Sequence, residues 1–415
     1  MGAISRRNML AGGAVATAAA LGVSACGRSG GGTRAAGGDG KPAGGASSSP
    51  SVDARPVNLI GDGSMADTGP QPNQPVFEKL QPGQRPPQFV VFSWDGAGED
   101  SKQLFSHFRA VAQEVKATMT FFLSGIYVLP EGKKHLYLPP GHRAGASDIG
   151  YLADDHVKAT LEQTRGAWLE GHEIGTHFNG HFCSATSGVG TWSPEQWRSE
   201  TEQAMDFVAN WKTNTGFHDL DPLPFDYRKE LIGGRTPCLL GQNQFLPTAA
   251  AMGFKYDASS PGGNQMWPDK KHGLWDFPLQ SIPFPGHSFQ VLSMDYNMMA
   301  NQSGGNPKGD PSKRAYWQQQ SYGSYMAGFN RAYTTNRAPF FIGNHFESWN
   351  GGIYMKSVEQ ALREIAAKPD VRLVSFRQMV QWLEAQDPAV LAKLRTLNVG
   401  QKPADWKTYT SATPV

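Results

Sequence analysis

The chain of 415 residues carries 38 Lys and Arg against 36 Asp and Glu, a formal net charge of +2. The basic residues are scattered along the chain, which argues against a dedicated nucleic-acid binder with a strongly basic face. The length is sufficient for one α/β barrel with extensions at its ends.

The N-terminus has the features of a bacterial export signal. Arg6 and Arg7 precede a weakly apolar run that ends in Val-Ser-Ala before Cys26, a pattern typical of Tat export. Segment 1–26 is therefore predicted to be a Tat-type lipoprotein signal. Cys26 would be lipidated and would anchor the protein to the outer face of the cytoplasmic membrane. The alternative is an ordinary secretion signal cut near Ala25, with Cys26 incidental.

The composition divides the rest of the chain into four segments. Residues 27–56 are rich in Gly, Ser, Ala and Pro and are predicted to be a flexible tether, because they cannot bury enough apolar surface to fold. Residues 57–87 are predicted to be an extended arm, 88–390 the functional domain, and 391–415 a C-terminal extension.

Strand-like and helical patterns alternate from residue 88 onward. The strand-like runs include QFVVFSW, ATMTFFLSG, GHEIGTH, LIGGRTP, FKYDAS, APFFIGNH and VRLVS. Such alternation predicts an α/β fold with a parallel sheet, and about seven repeats fit a closed or nearly closed (β/α) barrel. Four chemically capable residues, Asp95, His177, Arg235 and His345, fall at four predicted strand ends, where barrels of this kind place their active sites.

Two histidines four residues apart indicate a possible metal site. His177 and His181 follow a predicted strand, and two histidines plus a carboxylate are a common ligand set for catalytic zinc. The pattern is not that of the zincins, because Phe178 stands where those enzymes have glutamate. The alternative is that both are ordinary surface or core histidines.

The two remaining cysteines, Cys183 and Cys238, do not form a disulfide framework in a domain of this size. We expect two small buried apolar side chains, with a disulfide between them as the alternative.

Five motifs in order resemble the polysaccharide deacetylases, the family-four carbohydrate esterases, and especially their chitin-deacetylase-like members. The resemblance covers roughly residues 88–385. The motifs are KATMTFFLSG, GHEIGTHFNGH, GGRTPCLLGQNQF, GFKYDAS with LWDFPL, and FFIGNH. The resemblance implies a distorted (β/α) barrel. It also implies a divalent metal ion, with Zn²⁺ as the expected one, held by Asp95, His177 and His181.

The same resemblance implies further roles. Arg235 would orient the general base, the backbone N–H of Cys238 would stabilise the oxyanion, and His345 would protonate the leaving amine. Trp94 and Pro237 would contact the substrate.

The chain departs from the family pattern at the position of the general base. The family has two adjacent acids where this chain has Trp94 and Asp95, and an indole cannot accept a proton from water. Either another acid is the base, or the metal acts without one, or the domain binds glycan without turnover. The nearest acids in sequence are Asp100, Glu173 and Glu347.

Trp94 itself has two interpretations, packing at the strand end or stacking on a sugar ring. Other tryptophans that are candidates for sugar stacking are Trp192, Trp275 and Trp349.

The sequence therefore predicts a metal-dependent deacetylase of an N-acetylated or O-acetylated cell-envelope polysaccharide, acting as a monomer at the cell surface. The alternative is a catalytically impaired homologue that only binds glycan, because Trp94 occupies the position of the base.

Overall fold

The computed structural model describes residues 58–411. The predicted signal with its lipidation residue Cys26, the whole predicted tether 27–56, the first residue of the predicted arm, and residues 412–415 lie outside the described residues. Within residues 58–411, no helix is both long enough and apolar enough to cross a membrane.

Fourteen strands occur in the described part of the chain. They are β1 (Asn58–Ile60), β2 (Met65–Asp67), β3 (Gln88–Asp95), β4 (Thr120–Leu123), β5 (Glu173–Thr176), β6 (Gly233–Gly234), β7 (Tyr256–Asp257), β8 (Pro261–Gly263), β9 (Lys270–Lys271), β10 (Leu274–Asp276), β11 (Leu279–Pro283), β12 (Gln290–Leu292), β13 (Phe340–His345) and β14 (Val371–Leu373).

Twelve α-helices accompany them over the same residues. They are α1 (Leu104–Val115), α2 (Asp154–Leu169), α3 (Pro194–Ala209), α4 (Trp211–Thr215), α5 (Tyr227–Glu230), α6 (Gln242–Ala251), α7 (Asp295–Ser303), α8 (Arg314–Thr334), α9 (Trp349–Ala366), α10 (Phe376–Ala385), α11 (Pro388–Arg395) and α12 (Trp406–Ser411).

The main sheet is a curled, mostly parallel sheet. Its order is β13-β3-β4-β5-β6-β7-β10-β9, with β14 paired to the beginning of β3, and only the β9–β10 pair is antiparallel. Eight parallel strands therefore replace the predicted seven or so, and the α/β barrel-like fold class is confirmed. Residues 293–294 partly close the sheet, since the Gly343 N–H donates to the Ser293 carbonyl at 2.9 Å.

The longest strand, β3, is buried along its whole length and packs on both faces. Its residues Val90, Phe92 and Trp94 face outward and share a core with the apolar side of α1. Phe89 and Val91 face the interior of the curled sheet, where they pack among aromatic side chains. Two-sided burial explains why this strand reads as a continuous apolar run, as parallel strands covered on both faces do.

Helix α3 begins at a capping box. Ser193 is its N-cap: the Ser193 hydroxyl accepts from the Gln196 N–H, and the Gln196 side chain accepts from the Ser193 N–H. Pro194 occupies the first helical position, where a missing N–H costs nothing. This double cap fixes the start of the helix that carries Glu200, a buried acid beneath the candidate site.

The two ends of the described chain pack on the barrel. The predicted arm begins with the β1–β2 hairpin, and the Ala66 N–H donates to the Leu223 carbonyl at 2.8 Å. The predicted domain end at residue 390 falls within α11, whose Leu391 and Leu394 are part of the interior aromatic core.

Candidate functional site

The C-terminal ends of four parallel strands bring the predicted site residues together. Asp95 ends β3, His345 ends β13, and His177 and Arg235 directly follow β5 and β6. Two adjoining clefts open over these strand ends, and both are lined by Asp95, His177, His181, Tyr296 and His345. The position agrees with the general placement of active sites in barrels of this kind.

Asp95 and Arg235 form a buried ion pair at the floor of these clefts. One Nη of Arg235 lies 2.7 Å from Asp95 Oδ1 and also donates to the Ser93 hydroxyl at 2.9 Å. The guanidinium is wholly buried, its Nε donates to the Ala258 carbonyl, and it lies 4.9 Å from the Phe122 ring centroid. Burial raises the pKa of Asp95, but Arg235 and the nearby histidines outweigh it and lower that pKa overall. Asp95 is therefore a carboxylate at neutral pH.

His345 is held by a second acid, Asp295, at the start of α7. The Asp295 carboxylate accepts from the His345 backbone N–H and from its Nδ1, both at 2.8 Å, and Asp295 is fully buried. Burial lowers the pKa of His345, but the Asp295 charge and hydrogen bond outweigh it and raise that pKa overall. The second ring nitrogen, Nε2, is thereby left for the cleft.

His177 is fixed in one tautomer by the backbone. Its Nδ1 lies 2.8 Å from the Arg235 carbonyl oxygen, which can only accept, so the proton is on Nδ1. Burial lowers the pKa of His177, which keeps the ring neutral. Its Nε2 is buried and has no hydrogen-bond partner among residues 58–411, as expected of a nitrogen reserved for a ligand.

His181 is oriented by two sulfur atoms. Its Nδ1 lies 3.4 Å from Cys183 Sγ and 3.9 Å from Cys238 Sγ, and its backbone has a left-handed φ of 56°. Burial lowers the pKa of His181 to about 3, so this ring is also neutral.

The predicted metal ligands share one pocket but do not form a compact set. Within the described residues, one group of three His, Cys, Asp or Glu side chains has ligand atoms all within 4.8 Å of one another, and it is His181, Cys183 and Cys238. The predicted group of Asp95, His177 and His181 does not meet this limit, and Asp95 Oδ1 is already bound by Arg235. The unpaired Nε2 of His177 suits a metal, but the three side chains do not fit a preformed three-ligand site.

The prediction that Trp94 contacts substrate is wrong. Trp94 is 0% exposed and lies on the outer face of β3, away from the clefts. Its ring stacks on Phe346 with centroids 4.7 Å apart, and its Nε1 donates to Met119 Sδ at 3.3 Å. The alternative interpretation, packing at the strand end, is the one that the structure supports.

The prediction that Pro237 contacts substrate is also contradicted, because Pro237 is buried and its neighbours Thr236 and Cys238 line the cleft instead. Trp192 and Trp275 are buried as well, whereas Trp349 lines the cleft beside His345, with ring centroids 5.2 Å apart.

The three acids considered from the sequence as substitute bases all bind other protein groups. Glu173 lies at the opposite end of β5, where it accepts from Thr120, Tyr256 and the Arg377 N–H.

Asp100 and Glu347 do line the cleft, but both pair with Lys102, at 2.5 and 3.5 Å. Asp95 is the acid that the site's arginine holds.

The expectation of two small buried cysteines is wrong. Cys183 and Cys238 form a disulfide with their Cα atoms 5.9 Å apart, and Cys183 is exposed. The bond joins the loop after β5 to the loop after β6. It therefore ties the histidine motif to the arginine motif at the rim of the site.

Sequence reasoning missed three residues around the site. Asp295 holds His345 through a hydrogen bond to Nδ1. Like Asp95, it is an acid that follows a strand-like stretch, here the one after β12. Tyr296 lines both clefts and is 48% exposed. Glu200 accepts from the Asn179 N–H at 3.1 Å and from the Tyr137 hydroxyl, and so supports the loop between His177 and His181 from below.

Comparisons with known proteins give a fold-level likeness alone. No family model matches the sequence, and none of the curated proteins matches it.

Among solved structures, the chain is similar to a putative polysaccharide deacetylase from Mycobacterium smegmatis (14% identity, TM-score 0.44, covering 75% of this chain and 96% of that one). It is also similar to a family-four carbohydrate esterase from Streptococcus mutans (16%, 0.39, 69% and 86%) and to one from Streptomyces lividans (11%, 0.33, 67% and 90%). These values indicate remote similarity.

Proposed function

We propose that this protein is a hydrolase that removes acetyl groups from an N-acetylated or O-acetylated polysaccharide of the cell envelope. The observation that carries the proposal is a carboxylate and an imidazole that line one cleft, each held by its own buried partner: Arg235 lies 2.7 Å from Asp95, and Asp295 lies 2.8 Å from His345. Asp95 has a lowered pKa and His345 a raised one. Two titratable groups driven apart in this way have the protonation states that a general base and a general acid need at neutral pH.

Asp95 is the proposed general base. Arg235 fixes Oδ1 and keeps the group ionised, which leaves the second oxygen to accept a proton from an attacking water. The assignment agrees with the role that the family resemblance gives to the arginine, which is to orient the base. The assignment places the general base at Asp95 and not at the position of Trp94.

His345 is the proposed general acid. With Nδ1 bound to Asp295, the protonated ring presents Nε2–H to the leaving amine or alcohol, which it would protonate as the tetrahedral intermediate collapses. The backbone N–H of Cys238, at the first turn of the short helical segment Pro237–Leu239, is the proposed oxyanion donor. Tyr296 and Trp349 would flank a sugar ring at the rim.

The proposal includes a divalent metal, with Zn²⁺ as the expected one, bound by two histidines and not by the three predicted ligands. A bound metal would polarise the acetyl carbonyl and lower the pKa of water. His177 and His181 would hold it. The predicted three ligands, Asp95 included, do not lie close enough together to form a preformed site.

The alternative of a catalytically impaired glycan binder rested on Trp94 in the place of the base. Trp94 packs on the outer face of β3, which supports Asp95 over Trp94 as the position of the base, whereas the alternative predicts glycan binding without release of acetate. The predicted export signal and lipid anchor would hold the domain next to the polymers of the envelope.

The test is acetate release by the purified protein from chitooligosaccharide, peptidoglycan and acetylated xylan, before and after dialysis against a chelator. We expect release from at least one of them, and loss of release in Asp95→Asn and His345→Gln variants that keep the circular dichroism spectrum of the wild type. If folded wild-type protein, supplied with zinc, releases no acetate from any of the three, the proposal is wrong.

A further inference from the structure

The rim of the site carries a disulfide in direct contact with a candidate metal ligand. Cys183 and Cys238 lie 55 residues apart in sequence and are brought together by the loops after β5 and β6. His181 Nδ1 faces both sulfurs, at 3.4 and 3.9 Å. Cys183 is exposed, so a small reductant can reach the bond from solvent.

We propose that reduction of this disulfide creates a second metal site, in which the thiolates of Cys183 and Cys238 and the Nδ1 of His181 bind a soft divalent cation such as zinc. The three ligand atoms already lie within 4.8 Å of one another. Zinc bound at about 2.3 Å from sulfur and about 2.0 Å from nitrogen in a tetrahedron requires nitrogen–sulfur distances of roughly 3.6 Å. The observed distances of 3.4 and 3.9 Å bracket that value.

The sulfurs need only a small separation to accept the metal. Two thiolates on one tetrahedral zinc stand roughly 3.8 Å apart, and rotation of the exposed Cys183 side chain, with a smaller shift of the half-buried Cys238, can supply that change. Three protein ligands would leave a fourth position for water. Soft thiolate ligands favour zinc over magnesium or calcium, which prefer oxygen.

The redox step balances with a dithiol as the reductant. The Cys183–Cys238 bond breaks as it takes up two electrons and two protons, while the dithiol gives them up and forms its own disulfide. Metal binding then displaces the two thiol protons, because the thiolate is the ligand.

Occupation of this site would change what His181 can do in the cleft. A neutral imidazole has one nitrogen with a lone pair, so Nδ1 bound to the thiolate-held metal leaves Nε2 carrying the proton. His181 then cannot also offer Nε2 as a ligand next to His177. This consequence depends on the proposed function, whereas the metal site itself does not.

Cobalt(II) provides a direct test, because cobalt bound to thiolates has a near-ultraviolet charge-transfer band and tetrahedral cobalt has strong visible bands. The experiment uses the full chain with the substitution Cys26→Ser, so that Cys183 and Cys238 are the two remaining cysteines. The protein is reduced with a water-soluble phosphine under argon and titrated with cobalt. We expect one cobalt per chain with both sets of bands, displacement by zinc, and no charge-transfer band in the protein left oxidised.

Three variants locate the ligands. Cys183→Ser and His181→Ala should weaken cobalt binding at least tenfold, whereas His177→Ala, which alters the cleft but not the proposed site, should retain the thiolate band. Absence of the band in the reduced chain, or a band that persists at full strength in Cys183→Ser, would overturn the proposal. The comparison of the reduced with the oxidised protein leaves both Cys183 and Cys238 unsubstituted.

Acetate release by the oxidised protein is measured separately. Its absence counts against the proposed hydrolase and leaves the cobalt result standing, so the two failures are distinguishable.

Discussion

Two neighbouring residues of β3 show how differently the two faces of one strand are used. Trp94 points outward into a dry core with Phe108 and Phe346, and Asp95 points inward to Arg235 at the floor of the clefts. Both are buried, at 0% and 4% exposed. Burial is therefore not what separates the structural residue from the chemical one. The side of the sheet decides it, since successive side chains of a strand point to opposite faces.

The inner face also changes character along its length. It is apolar at Phe89 and Val91 and becomes polar at Ser93 and Asp95, where the buried guanidinium of Arg235 lies. The outer face stays apolar to the strand end. A family-based alignment that counts residues without regard to the face places the base at Trp94 on the apolar outer face, whereas Asp95 on the inner face lines the clefts.

The largest expected effect comes from placing an acid on the outer face. Trp94→Asp should lower the free energy of unfolding by at least about 4 kcal/mol, because it leaves a cavity and buries a carboxylate without a partner. Urea denaturation followed by circular dichroism measures this, with Trp94→Phe as the milder control. A stable Trp94→Asp protein with increased acetate release would instead support Trp94 as the position of the missing base.

The matching change on the inner face should affect chemistry more than folding. Asp95→Asn keeps a hydrogen-bond acceptor for Arg235 but removes the base, so we expect kcat/KM for acetate release to fall by about 10²- to 10⁴-fold. Glu347→Gln, in the same cleft, is the control and should stay within a few-fold of wild type. A loss equal to that of Glu347→Gln would remove Asp95 from the proposed mechanism.

A pH effect is expected from Glu200, beneath the histidine loop. Burial raises its pKa to about 7 although Tyr137 and Asn179 donate to it. The folded state thus holds this proton more tightly than the unfolded state, and its stability falls as the pH rises from the unfolded value of about 4.5 through 7, by up to about 3 kcal/mol.

Thermal unfolding of wild type and Glu200→Gln at pH 5 and pH 8 measures this effect. Asp257, whose pKa burial also raises to about 7, contributes in the same direction and stays in both proteins. The variant should therefore lose part of the pH dependence. An unchanged difference between the two pH values would show that Glu200 is ionised throughout.

The smallest expected effect concerns His345, the proposed general acid. Asp295→Asn removes the negative charge that raises the pKa of His345, so the proton that His345 must donate is lost at lower pH. The alkaline limb of the kcat/KM profile should therefore move to lower pH. A uniform fall in rate without movement of that limb would assign Asp295 a structural role only.

The sequence predicted the parts of the site that depend on local order along the chain. Each of Asp95, His177, Arg235 and His345 follows a recognisable strand, and parallel strands must present their ends on one side. Asp295 also borders the site, but it follows β12, a short strand with a weak pattern that pairs antiparallel with β11 outside the main sheet.

What the sequence could not supply depends on side-chain direction and on long-range pairing. Strand β3 is apolar on both faces, so the sequence did not show which of the two neighbours, Trp94 or Asp95, faces the clefts. The partner of Cys183 is 55 residues away on a different loop, and spacing alone does not determine such a pair. The distances among the candidate metal ligands likewise depend on loop conformations, including the left-handed backbone at His181.

The ion pair between Asp95 and Arg235 also bears on how the molecule is made. The two residues are 140 positions apart, so a ribosome adding about 5–20 residues per second finishes Arg235 roughly 7–28 s after Asp95. During that interval the nascent strand carries Asp95 without Arg235, the fully buried cation with which it pairs in the finished protein. The site is thus a late product of synthesis, and a chain cut short before Arg235 would lack both the pair and any activity that depends on it.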